Sequence, residues 1–164
     1  FLSEDSFSGK LFIVSKRGVF MTKNKNLTGL YYSKIVKSLK YLEYSYQRTL
    51  NMPLNPAQMN DSELEAWDSF ASRFARTSDI FLSKYIRAFI LKDDPAFDGG
   101  FRDQLNRAEK LGLIADVTIW MEIRELRNAT VHEYSDQDLE KIFEKFRNFS
   151  PLLIELPKKL NHET

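Results

Sequence analysis

The 164-residue chain has no cysteine and only two histidines, His132 and His162. The missing thiols exclude disulfides, thiol nucleophiles, iron–sulfur clusters and cysteine zinc sites. Two histidines thirty positions apart, one of them in the tail, do not form a metal ligand set, so neither a metal centre nor a cofactor is expected. No stretch of eighteen apolar residues occurs, and no membrane span is expected. Nucleotide-binding glycine patterns are absent too: Gly99-Gly100 lacks the G-x-x-x-x-G-K-[ST] spacing and reads as a turn. There is no G-x-S-x-G elbow for a serine hydrolase, and the glycine–serine and paired-aspartate motif of nucleotidyltransferases is missing. No repeat, heptad run or low-complexity segment is visible.

What is present fits a single globular domain. Hydrophobic residues make up 43% and charged ones 29%, and thirteen phenylalanines favour an aromatic-rich core. Thiol-free composition fits a cytoplasmic location. A chain opening on Phe1 is expected to be a fragment or a processed form, with Met21 a candidate start. The net charge is only +1, but it is unevenly spread. Eight basic residues and no acid lie between Ser6 and Leu42, so the remainder is net negative. Such asymmetry marks either a surface for nucleic acid or an acidic partner, or simply a solvated arm and helix face.

Hydrophobic periodicity predicts an all-α, up-and-down bundle of four main helices with additional short ones. Residues 1–26 are expected to form an N-terminal arm and 27–160 the helical domain. Within the arm, the apolar runs Leu11–Val14 and Val19–Thr22 flank Ser15-Lys16-Arg17-Gly18, which reads as a small β-hairpin. The first helix is predicted over Leu27–Leu50, with Leu30, Tyr31, Ile35, Leu39, Leu42 and Tyr46 on its stripe. Its tyrosines could pack in the core or offer stacking platforms for bases. A long core helix follows, capped by Asp61 or Ser62 and continuing to about Leu91, with Arg73, Arg76 and Asp79 near its middle as a possible buried ion pair. Shorter helices are predicted over Phe101–Leu111, ended by Gly112, and over Val117–His132, capped by Asp116. Another spans Asp136–Phe149, and Pro151 is expected to begin a last one.

The stretch Leu126–Tyr134 concentrates the candidate chemistry. Asn128 and His132 are four apart and share a helical face, and the long side chain of Arg127 can reach the same patch. An imidazole can move a proton near neutral pH, and a guanidinium can hold charge on phosphate oxygens. Together with a carboxamide, these groups can bind and cleave a phosphodiester. The same Arg and His would also complement a helix C-terminus without any chemistry. Glu122, Glu125 and Glu133 read as a solvated helix face.

Arg127-Asn128-Ala129-Thr130-Val131-His132-Glu133-Tyr134 resembles the R-x-x-x-x-H-x-Y signature of HEPN domains, in particular the HepT-like toxins paired with minimal nucleotidyltransferases. Ser72-Arg73-Phe74-Ala75-Arg76 and Arg107–Leu113 are similar to stretches upstream of that motif in bacterial members. The resemblance runs over roughly residues 27–156. It implies a homodimer whose two motifs face one cleft, acting as a metal-independent ribonuclease toxin that leaves a 2′,3′-cyclic phosphate. His132 would transfer the proton, Arg127 would steady the phosphorane and Asn128 would orient either group. It also implies a nucleotidyltransferase antitoxin that transfers AMP onto Tyr134. A second class stays open: a non-catalytic subunit that binds nucleotide or RNA, or docks the nucleotidyltransferase.

Overall fold

The computed structural model describes the backbone of residues 5–129 and 134–160, with side chains from residue 27 onward. Among these residues the chain is all-helical. Helix α1 spans Asp5–Thr49, α2 Asp61–Asp79, α3 Ile86–Asp93, α4 Phe101–Lys110, α5 Val117–Ala129, α6 Asp136–Ile154 and α7 Leu156–Leu160. A π-helical segment, Ile80–Tyr85, joins α2 to α3 without a break, so Asp61 to Asp93 forms one rod. The rod packs against α1, α5 and α6, and α4 bridges α3 and α5. No helix among the described residues is long and apolar enough to cross a membrane.

The hairpin expected over Leu11–Thr22 does not form, because the backbone there belongs to α1. Four-residue apolar runs suit a buried helix turn as well as a strand. A lone two-stranded hairpin is marginal in water, whereas extending an existing helix needs no new nucleus. Downstream, α1 buries Ile35, Leu39, Leu42, Ser45 and Thr49, while Leu30, placed on the predicted stripe, is 46% exposed.

The rod supplies the core. Trp67, Phe70, Phe74, Phe81 and Tyr85 are all essentially inaccessible. Trp67 stacks on Phe143 of α6 at 4.3 Å, Phe74 meets Phe146 edge-on at 4.9 Å, and Phe81 meets Trp120 of α5 at 4.9 Å. Polar contacts are few and small: Thr77 donates to the Ser38 hydroxyl of α1 at 3.1 Å. In the π segment the Ile86 N–H reaches back five residues to the Phe81 carbonyl. The buried Gln104 amide donates to the Leu82 carbonyl, a side chain inserted into the backbone ladder as π segments often have.

Helix ends follow local chemistry. The start of α2 is a capping box, but Asn60 is the cap: its Oδ1 accepts from the Glu63 N–H at 2.9 Å, and Glu63 accepts from the Asn60 N–H at 3.0 Å. The caps expected at Asp61 or Ser62 lie one or two residues further on, and the Ser62 hydroxyl instead accepts from Arg48 at 3.4 Å. Gly112 closes α4 with φ of +77°, and the Leu113 N–H returns to the Ala108 carbonyl at 2.9 Å. Ser135 caps α6, accepting from the Asp138 N–H at 3.3 Å. Pro151 does not begin a separate helix; it lies inside α6, one turn before its end. There its missing N–H deprives a single carbonyl of a donor, and Glu155 then separates α6 from α7.

Arg147 ties α6 to the end of α1. Its guanidinium donates to the carbonyls of Thr49 and Met52, the latter at 2.6 Å, and lies 5.1 Å from the Trp67 ring centroid. Burial lowers its pKa below the ordinary arginine value, with Tyr46 acting in the opposite direction. Removing it takes this donor from the Met52 carbonyl, leaves the Thr49 carbonyl with the Met52 N–H alone, and opens space beside Trp67. Arg147→Ala is therefore expected to cost about 2–4 kcal/mol in urea denaturation. Arg147→Lys should recover only part, since an ammonium cannot reproduce the planar fork. A loss below about 0.5 kcal/mol for the alanine variant would show that the cap contributes nothing.

Candidate active site

Helix α5 begins where Asp116 accepts from the Thr118 N–H at 2.7 Å, and it buries Trp120, Ile123 and Leu126 at three-residue steps. Arg127 lies two turns beyond Trp120 and so shares the side that faces the rod. There its Nη1 stands 2.8 Å from Oδ1 of Asp79, the last residue of α2. The two side chains are 34% and 32% exposed. The pair is thus half sheltered and directly precedes the π segment. Arg73, grouped with Asp79 by sequence, turns to α1 and donates to Ser45 Oγ at 2.6 Å and to the Tyr41 carbonyl at 3.3 Å.

Asn128 is exposed. It lies about 100° further round the helix than Arg127, so the two side chains leave α5 in different directions. Described α5 ends at Ala129; His132 falls within 130–133, outside the described residues, as does Glu133. Tyr134 lies in the non-helical link just before the Ser135 cap and is half-buried. Two hollows flank it. One, about 550 Å³, opens between α2 and α6, with Leu64, Ala71 and Phe143 as its apolar floor and Asp68 and Ser72 among its polar groups. The other, of similar volume, carries Glu122, Glu125, Lys141 and Lys145. Glu122 is paired with Lys145 at 3.8 Å.

Of the residues singled out in sequence, the structure thus positions Arg127, Asn128 and Tyr134 around the end of α5. Asp79, expected in an ion pair near the middle of the rod, pairs instead with Arg127, a partner that sequence reasoning missed. A sheltered acid signals that a partner is needed, because an unpaired buried carboxylate is costly. Its partner lies 48 residues further along the chain, which no local pattern encodes. Chemically, the end of α5 presents a guanidinium held against a carboxylate, with a carboxamide and a phenol nearby in sequence but on other sides of the helix end.

A family model described as nucleotidyltransferase substrate binding protein like matches residues 30–162, most of the chain and all of this site. The chain belongs to that family. Over 56 residues it is 39% identical to a Haemophilus influenzae protein described as a probable ribonuclease HepT. The match covers 34% of this chain and 36% of that relative, so this chain spans about a third of the relative's length. Together these make it a HepT-like HEPN protein, and the family match starts three residues after the resemblance read from sequence and runs six beyond its end.

The ion pair of this HepT-like protein is measurable by itself. A double-mutant cycle of Asp79→Asn and Arg127→Ala in urea denaturation should give a coupling of about 0.5–1 kcal/mol, the range for a partly solvated pair. Strictly additive losses would mean that the two groups do not interact in solution.

Proposed function

We propose that this HepT-like protein is a metal-independent endoribonuclease, the toxin of a toxin–antitoxin pair, acting as a homodimer with Arg127, Asn128 and His132 of both copies lining one cleft. The observation that carries the reading is the fixed Arg127: its guanidinium is aimed by Asp79 at 2.8 Å, within the stretch that resembles the R-x-x-x-x-H-x-Y signature. The family match and the naming of the Haemophilus influenzae relative support it. One copy offers few groups for a full site, and a two-fold axis doubles them.

In the step proposed, the ribose 2′-oxygen attacks phosphorus while the bond from phosphorus to the 5′-oxygen breaks. The 2′-hydroxyl proton leaves to a base and the departing 5′-oxygen gains one, and His132 serves in one of these roles. Arg127 stabilises the charge that builds on the non-bridging oxygens, and Asn128 orients the reacting groups. The product end carries a 2′,3′-cyclic phosphate. With EDTA present, purified protein is expected to cut single-stranded RNA, and His132→Ala to slow cutting by about 100- to 10,000-fold without loss of helicity. Undiminished cutting by that variant removes His132 from the mechanism. A monomer mass in light scattering removes the shared cleft. Nucleotide binding with no cutting by the wild type would favour the non-catalytic subunit, the reading that the family's description as substrate binding keeps in view.

Tyr134 is the proposed control point, and a minimal nucleotidyltransferase the proposed antitoxin. Transfer of AMP from ATP would join the tyrosine oxygen to the α-phosphorus and release pyrophosphate. The added phosphate would face Arg127, raise the pKa of His132 and obstruct RNA. Its half-buried position in a non-helical link, between two open hollows, supports access to the ring. Incubation with the cognate nucleotidyltransferase, ATP and magnesium should add AMP to the wild type and not to Tyr134→Phe, with loss of RNA cutting. Equal modification of both would place the acceptor elsewhere.

A further inference from the structure

Helix α1 carries a second pattern besides its buried stripe. Leu30, Lys34, Lys37, Tyr41, Tyr44 and Arg48 recur at steps of four and three, so they share one face, and all are exposed. Tyr41 and Tyr44 are 52% and 63% exposed, values unusual for large aromatic side chains. Both rings are held from the neighbouring helix. The Arg73 guanidinium lies 5.8 Å from one ring centroid and 5.9 Å from the other, anchored by its bonds to Ser45 Oγ and the Tyr41 carbonyl. Beside them a hollow of about 500 Å³ is lined by Tyr41, Asp68, Ser69, Ser72, Arg73 and Arg76.

We infer that this face of α1, with the adjoining hollow, binds single-stranded RNA, its bases stacking on Tyr41 and Tyr44 and its phosphates lying along Lys34, Lys37 and Arg48. The inference deepens the ribonuclease reading by giving the substrate a track outside the cleavage motif. Three features select this occupant. Pre-positioned exposed rings interleaved with cations are what a flexible strand uses, since every base has a face to stack and every link a charge. From Lys34 to Arg48 the stripe is about 21 Å long, enough for several nucleotides. A second copy of the chain is disfavoured, because a stripe with three cations and no acid repels itself. In the hollow, Asp68 can accept from the exocyclic amine of a base, with Ser69 and Ser72 alongside, while Arg73 and Arg76 keep its lining net positive.

The test uses a fluorescein-labelled single-stranded RNA oligonucleotide of mixed sequence, in EDTA, on the full chain carrying His132→Ala so that nothing is consumed. Fluorescence anisotropy should show binding that weakens by about 10- to 100-fold when Tyr41→Ala and Tyr44→Ala are added, and that Tyr→Phe at both positions retains. Lys34→Ala and Lys37→Ala should lower the slope of log affinity against log salt by about 0.7 per lost phosphate contact. These side chains are exposed, so circular dichroism and Tm should stay as in the parent. Absence of RNA binding by the parent, or affinity and salt slope unchanged in these variants, overturns the inference. Variants that keep RNA affinity but dissociate the oligomer, or no longer bind the cognate nucleotidyltransferase, overturn it as well, by assigning the face to a protein. Failure of the wild type to cut RNA removes the ribonuclease reading only, because binding is read without cleavage.

Discussion

The column of rings along the central rod is the constraint on which the other elements depend. Trp67, Phe70, Phe74, Phe81 and Tyr85 are shielded almost completely, and each such burial contributes on the order of 1.5–3 kcal/mol. The column is shared out among neighbours. Its N-terminal half receives Phe143 and Phe146 of α6, and its C-terminal half receives Trp120 of α5. Because rings pack only in a few offset or edge-on geometries, these contacts fix the rotation and height of α5 and α6. Asp79 lies between the two halves, and that is why a carboxylate of the rod meets a guanidinium of α5.

Helix α2 separates two kinds of polar surface. One side carries Asp79 against Arg127, where a charge pair is partly sheltered and directional. The other carries Arg73, which reaches α1 and braces the exposed tyrosines. Arg73 and Asp79 differ by six residues, roughly 240° round the helix, so one rod addresses both. The chemistry of the two sides differs accordingly. Sheltered Arg127 is held toward Asp79, which suits stabilising charge at one place. On the open face of α1, cations surrounded by water suit attraction over a length of chain, which salt screens.

The π segment sits where these demands meet. A six-residue widening at Ile80–Tyr85 directly follows Asp79, and the Gln104 amide takes up the Leu82 carbonyl within it. Helix α4, which supplies Gln104, contacts both α3 and α5. The widened turn is thereby held by hydrogen bonding and by the packing of Phe81 on Trp120, and the helix on either side stays regular.

The sequence by itself determined the elements whose causes are local. Helical stripes placed the rod and α4 to α6 within a few residues, because side chains three and four apart meet on one face whatever the fold. Gly112 and Asp116 ended or began helices as expected, since each acts on backbone groups within one turn. That Arg127, Asn128 and Tyr134 lie around the end of α5 was legible for the same reason. Short apolar runs near the N-terminus were misread as a hairpin, because four residues cannot distinguish the two periods. The overlapping caps at Asn60 and Ser62 were likewise indistinguishable locally. Tertiary structure alone decided that Arg127 turns to Asp79, that Arg147 closes the end of α1, and that Tyr41 and Tyr44 remain outside the core. Each depends on how helices far apart in sequence are rotated against one another, and that rotation is set by the ring packing of the core, which no single segment contains.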